Sequence, residues 1–259
     1  MSAPAIEATR AGLPLAVPAA ITGAWALAIA AEATGTGGVL HHDALLGSGP
    51  PSWVALALTL ATWQAMTAAM MLPSSVPLVR LFSAASAGQP QPRAAMAAFL
   101  GGYALVWTGF ALFAFLGDIA VHRAIDASPS LQAYEWVIGG SVLAVAGAFQ
   151  FTSLKEACLR ACRHPGAFLL RYYERGAAGG LRLGARHGLF CVGCCWALML
   201  VMFAVGVGSL IWMALFTAVM VHEKTRPVGA QAVRVTGAAL LGAAVLVLAY
   251  SAYAAGALW

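Results

Sequence analysis

Residues 188–205 read GLFCVGCCWALMLVMFAV, and they decide the fold class because the run is apolar and carries no charge. An uncharged apolar segment of about 18 residues or more is typical of a helix that crosses a lipid bilayer. The rest of the 259-residue chain agrees, since 61% of it is hydrophobic and only 9% is charged. Soluble domains carry roughly 25% charged residues. The sequence therefore predicts a polytopic membrane protein built from α-helices.

Seven predominantly apolar segments follow one another along the chain, and Gly and Pro residues separate them. Each crossing needs about 20 residues, and residues 188–221 are short for two crossings. We expect a tight hairpin there, with its turn near Gly206–Ser209, and one integral membrane domain over residues 1–259. The all-α bundle is predicted to have seven spans, namely Leu13–Ala31, Trp53–Pro73, Ala94–Gly117, Tyr134–Leu154, Gly188–Val205, Leu210–Val221 and Val233–Tyr253.

The positive charges predict the orientation of these spans. With a cytoplasmic N-terminus, thirteen of the 14 Lys and Arg residues lie on the cytoplasmic side, and Arg123 alone lies outside. Such a bias is typical of the inner, cytoplasmic membrane of bacteria. Residues 155–187 are expected to be a basic cytoplasmic loop with a surface helix. Nucleic-acid binding is excluded, because the basic residues lie in short loops between apolar segments.

Three cysteines near the start of the fifth span share one helix face. Cys191, Cys194 and Cys195 stand at i, i+3 and i+4, and Met199 and Met202 continue the same stripe. Thiolate and thioether ligands select soft metals, above all Cu(I), whereas Zn(II) combines thiolates with nitrogen or oxygen. The pattern predicts a copper site, with zinc as the alternative metal.

Other chemically useful residues lie at the same depth of the predicted bundle. Met66 and Met70 share a face that ends at Pro73, where we expect the helix to kink or stop. His222 and Glu223 close the sixth span, and Lys224 is expected to pair with a carboxylate. The predicted metal ligands are therefore Cys191, Cys194, Cys195, Met66, Met70, Met199, His222 and Glu223.

Three stretches of the chain are similar to a known family. They are AMMLPS at 69–74, QFTSLK at 150–155 followed by Cys158 and Cys162, and GCCW at 193–196. With them, residues 53–227 resemble the bacterial DUF2182 family, described as predicted metal-binding integral membrane proteins. Gly208-Ser209 stand where that family usually has a Met-Asn pair. The resemblance implies a metal-binding role and does not specify the metal.

Three functions compete at this point. The first is binding, and transport or delivery, of Cu(I), with the bilayer, the metal ion and a membrane or periplasmic metal-binding protein as partners. The second is a thiol–disulfide oxidoreductase, because Cys191 and Cys194 have the redox spacing. The third is a structural subunit of a larger membrane complex. The sequence has no phosphate loop, serine hydrolase elbow or HExxH motif, so we expect binding rather than catalysis.

Overall fold

The computed structural model describes residues 12–35, 52–129, 132, 135–205, 209–225 and 229–256. Within these ranges the chain forms helices and no strand, which confirms the all-α prediction. The ten helices are α1 (Ala16–Ala33), α2 (Ser52–Met70), α3 (Leu72–Ser86), α4 (Pro92–Asp126), α5 (Glu135–Phe149), α6 (Ser153–Arg163), α7 (Pro165–Tyr172), α8 (Gly176–Val205), α9 (Leu210–Thr225) and α10 (Gly229–Gly256).

Four of the described helices are long and apolar enough to cross a membrane unaided. They lie within α1, α4, α8 and α10, and the number rises to six if the bent pairs α2–α3 and α5–α6 each count as one span. Helix α9 has 16 residues, about 24 Å at 1.5 Å per residue, which is shorter than the hydrocarbon core. The predicted seven spans and their orientation therefore stay predictions.

The bend between α2 and α3 lies where the sequence predicted a break. The two helices meet at Met71 at an angle of 72°, and Pro73 stands in the first turn of α3. Because a proline cannot donate the next backbone hydrogen bond, helical bonding is interrupted before it. The hydroxyls of Ser74 and Ser75 donate to the Met71 carbonyl oxygen at 2.8 and 3.3 Å. These serines supply the donors that a buried carbonyl requires.

Residues 155–187 are not a loop with one surface helix, as the charge pattern led us to expect. They form α6, α7 and the first turns of α8, which continues without interruption into the predicted fifth span. A second bend of 63° separates α5 from α6, and Thr152 caps α6 by accepting a hydrogen bond from the Lys155 amide at 3.3 Å. Arg182 and Arg186 are exposed, whereas Leu183 and His187 are buried. The arginines therefore occupy one face of a helix.

Glycines allow α4 and α8 to pack backbone against backbone. A Cβ at Gly184 would overlap the carbonyl oxygen of Phe99, and one at Gly102 would overlap that of Leu181. Gly180 makes a similar approach to Ala95, four residues before Gly184. Small residues at this spacing let membrane helices approach closely. This contact holds the cysteine-bearing helix against α4.

Helices α8 and α9 are separate, as the hairpin prediction requires. Helix α8 ends at Val205 and α9 begins at Leu210, and the predicted turn at Gly206–Ser209 lies, except for Ser209, outside the described residues. Lys224, near the end of α9, contacts Cys191 of α8. Cys191–Val205 and Leu210–Lys224 each correspond to a rise of about 21 Å. The two segments have equal length, and the contact between Lys224 and Cys191 joins their far ends. Helices α8 and α9 are therefore antiparallel.

Candidate metal centre

Three sulfur atoms surround a buried ammonium group where α3, α8 and α9 meet. Lys224 Nζ lies 3.2 Å from Cys191 Sγ, 3.9 Å from Cys195 Sγ and 4.0 Å from Met71 Sδ. Ser74 Oγ accepts a further hydrogen bond from it at 3.2 Å. We call Met71, Cys191 and Cys195 the sulfur cluster. None of the three is more than 1% exposed.

Short contacts connect the members of the sulfur cluster to one another and to α4. The Cys195 thiol lies 3.6 Å from Met71 Sδ and donates to the Cys191 carbonyl oxygen at 2.7 Å. Cys191 Sγ lies 3.1 Å from the Tyr103 hydroxyl. Tyr103 stacks on His187 with ring centroids 5.5 Å apart, and the His187 ring bonds Ser75 Oγ at 3.0 Å. Helices α3, α4 and α8 thus fix the position of Cys191.

The chemistry of these donors fits a soft, monovalent ion. Two thiols and one thioether are ligands that Cu(I) prefers. Zn(II) sites draw their ligands from Cys, His and carboxylates. In the part of the chain that the structure describes, no three His, Cys, Asp or Glu side chains are grouped so that they could hold a metal ion. A thioether is therefore needed to complete a three-ligand site.

Met66, Met70 and Met199, three of the predicted ligands, are buried in the same core as the cysteines. The methionine that contacts a thiol is Met71, which the face of Met66 and Met70 did not include. The reason is the bend, because Met71 lies at the break and follows neither helix. The sequence signal for this position is Met70-Met71-Leu72-Pro73. Met71 is the last methionine before the helix break and stands two residues before the proline.

His222 and Glu223, the other predicted ligands, have different surroundings. His222 is exposed, and on a helix it points about 160° away from Lys224. Glu223 is buried, and its Oε2 accepts a hydrogen bond from Lys155 Nζ at 2.8 Å. The structure brings neither side chain into the polar contacts of the sulfur cluster.

The prediction that Lys224 pairs with a carboxylate was wrong. Glu223 is bonded to Lys155 of α6, and Arg163 Nε donates to its backbone oxygen at 2.8 Å. These two contacts anchor the end of α9 to α6. Lys224 follows Glu223 by one residue, so it points to a different side of the helix and reaches the sulfur atoms. The order of charges along the chain could not show which lysine meets the carboxylate.

The structure places Cys158 and Cys162 beside the other three cysteines. A Cβ at Gly193 would lie 2.7 Å from Cys158 Sγ, so glycine at this position makes room for the thiol. The Cys162 side chain packs against the core cluster that contains Cys191, Cys194 and Cys195. Cys194 donates to the Cys191 carbonyl oxygen at 3.1 Å. All five cysteines are free thiols. Cys158 and Cys162 have i, i+4 spacing, which places them on one helix face. The interpretation of residues 155–187 as a loop did not use this signal.

A search against protein families matches most of the chain. Residues 60–247 match the family PpoB2, described as a copper chaperone. No curated protein and no solved structure matches the chain.

Proposed function

The chain belongs to the PpoB2 copper chaperone family, and from this premise we propose that it carries Cu(I) as cargo on the sulfur cluster. Met71, Cys191 and Cys195 are the proposed ligands, and Cys194 lies next to them on α8. The membrane helices hold the site, and a partner protein receives the ion. We place the protein in the bacterial inner membrane, where the charge bias orients the N-terminus toward the cytoplasm.

The observation that carries this proposal is the arrangement of three sulfur atoms around one cation. Cys195 Sγ and Met71 Sδ are 3.6 Å apart, and both lie within about 4 Å of Lys224 Nζ, as does Cys191 Sγ. Metal–sulfur bonds are about 2.3 Å long. Two sulfur atoms 3.6 Å apart can therefore bind the same ion. The buried ammonium marks a position that already favours positive charge.

The charge balance favours a monovalent ion. Two thiolates and Cu(I) carry a net charge of −1, which the Lys224 ammonium neutralises. The same ligands with Zn(II) would leave an excess positive charge in a site of low dielectric, and uncompensated buried charge is costly. This balance supports Cu(I) over the alternative metal.

The test compares two methionines that are both buried. We expect anaerobically purified, reduced protein to hold one copper per chain by elemental analysis. Met71→Leu keeps the volume and removes one ligand, so it should weaken Cu(I) affinity by about tenfold or more in competition with bicinchoninate. The matched control is Met96→Leu, because Met96 lies in a different core cluster. Equal affinities of the two variants would contradict the proposal.

A double serine variant separates this function from the two alternatives. Cys191→Ser/Cys195→Ser should abolish copper binding if the sulfur cluster is the site, because a serine oxygen is a poor ligand for Cu(I). A wild-type protein without copper that instead forms a mixed disulfide with a thiol substrate would support the redox function. A variant that keeps its partners and phenotype would support the structural role.

A further inference from the structure

The two cysteines of α6 form a second pair that faces the cysteines of α8. Cys158 and Cys162 are one turn apart on the same face of α6. Cys158 Sγ lies over Gly193, and Cys162 packs against the core cluster that contains Cys194. Nothing in the sulfur cluster itself requires this pair. The pair therefore extends the set of soft donors beyond the proposed binding site.

The five cysteines differ in their exposed fraction, and the two on α6 are less buried than the three on α8. Cys191, Cys194 and Cys195 are at most 1% exposed, and Cys158 is 8% exposed. Cys162 is half-buried, so it is the least buried of the five cysteine residues. Neighbouring cysteines thus lead from the least buried of the five to the sulfur cluster.

We propose that Cys158 and Cys162 are an entry pair that receives Cu(I) from a donor and passes it through Cys194 to the sulfur cluster. This proposal rests on the function proposed above and adds the route by which the ion arrives. Cu(I) remains monovalent throughout, and each step is an exchange of one sulfur ligand for another. No oxidant or reductant takes part.

The first exchange forms a bond between the metal and Cys162 Sγ and breaks the bond between the metal and a donor sulfur. The proton of the Cys162 thiol moves to the sulfur that leaves. In the next exchange Cys194 binds the ion, and its proton moves to Cys162. In these two exchanges a proton and the metal move in opposite directions, so neither exchange changes the net charge. When Cys191 and Cys195 both bind the ion they release two protons, one to Cys194 and one to water, which leaves the charge of −1 that Lys224 balances. Thiols must lose their protons to bind metal, so this coupling avoids isolated thiolates.

The surface around the entry pair indicates the charge of the donor. Arg160 is exposed and Arg163 is half-buried, and they stand two residues before and one residue after Cys162 on α6. Basic groups at an entry attract anions and raise the rate of encounter. The expected donor is therefore an anionic thiolate complex of Cu(I), for which the glutathione complex is a suitable probe.

The experiment compares the rate of copper loading with the affinity at equilibrium. Reduced, full-length protein is mixed with Cu(I)–glutathione, and copper on the protein is measured by elemental analysis after rapid desalting. We expect Cys162→Ser to slow loading by about tenfold or more and to reduce the equilibrium affinity by a smaller factor. Ala161→Ser is the matched control, because it places the same hydroxyl on a neighbouring half-buried residue of α6.

Two results would overturn the proposal. One is a loading rate for Cys162→Ser equal to that of Ala161→Ser. The other is an equal loss of rate and affinity, which would make Cys162 a permanent ligand. Cys162→Ala serves as a second variant if the serine perturbs folding.

Alkylation provides a readout that does not depend on copper. In the copper-free protein, N-ethylmaleimide should modify Cys162 or Cys158 before the three cysteines of α8, as mapped by mass spectrometry. Earlier modification of Cys191 or Cys195 would overturn the proposed route. Wild-type protein that follows this labelling order and still binds no copper would instead contradict the proposed function.

Discussion

Lys224 introduces a full positive charge into a core of sulfur and carbon atoms, where it is only 4% exposed. Its partners are the sulfur cluster and Ser74. We expect Lys224→Met to weaken Cu(I) affinity by about tenfold or more, because the anionic copper–thiolate group would lose its buried counter-charge. The measurement is competition with a chelator under anaerobic conditions.

The control for this variant is Arg160→Met, which removes an exposed positive charge from α6. Its effect on equilibrium affinity should be slight, because exposed charges are screened by solvent and salt. If Lys224→Met bound Cu(I) as tightly as wild type, the ammonium would not be the counter-charge of the site.

The sequence predicted which residues belong to the site better than it predicted which residues contact one another. The thiols at 191, 194 and 195 were recognisable because their spacing places them on one helix face whatever the packing. The contact between Cys195 and Met71 joins residues 124 positions apart, and it depends on a helix break that changes the direction of Met71. The pairing of Lys155 with Glu223 similarly depends on how α6 packs against α9. Periodicity along one segment contains no such information.

At the scale of elements, the contact between α4 and α8 depends on residues without side chains. We expect Gly184→Val to destabilise the protein by about 3 kcal/mol or more, because the new side chain would overlap the backbone of Phe99. The measurement is the midpoint of thermal unfolding in detergent, together with the yield of monodisperse protein.

Gly109→Val is the matched control on α4, where a Cβ would meet nothing within 4 Å. Its unfolding midpoint should remain close to that of wild type. Similar losses in both variants would show that valine disturbs these helices for reasons other than close packing.

The ion pair between α6 and α9 offers a second test at this scale. Lys155 and Glu223 are almost fully buried and 2.8 Å apart. Lys155→Met should cost about 3–5 kcal/mol of stability, because it leaves a buried carboxylate without its partner. Thermal unfolding should show that Lys155→Met/Glu223→Leu recovers part of this loss.

An exposed ion pair serves as the comparison. Arg182 and Glu174 are 2.7 Å apart, but their side chains are 65% and 45% exposed. Glu174→Gln should therefore change stability by less than about 1 kcal/mol. A loss as large as that of Lys155→Met would mean that burial does not determine the cost.

For the whole molecule, the apolar segments predicted the helices well, because uncharged runs of this length have few alternatives in a membrane. The break near Pro73 was predicted, whereas the bend between α5 and α6 and the helical structure of residues 155–187 were not. A count of charges cannot distinguish a loop from a helix whose arginines share one face. Together, the predicted and the unpredicted bends bring α3, α6, α8 and α9 around the cysteines.

The break between α2 and α3 is part of the site, because Met71 lies at it. Backbone that departs from a helix at membrane depth is tolerated where it is buried in protein, and the break at Met71 is capped by two serines. Broken helices near the centre of a membrane protein frequently carry its binding site. The sulfur cluster lies at the buried break between α2 and α3.

X-ray absorption at the copper edge of the loaded protein tests the central claim most directly. We expect a Cu(I) edge and a first shell that contains only sulfur at about 2.3 Å, with fewer sulfur neighbours in Met71→Leu and an unchanged spectrum in Met96→Leu. A first shell of nitrogen or oxygen atoms, or one that Met71→Leu does not alter, would contradict a copper site at Met71, Cys191 and Cys195.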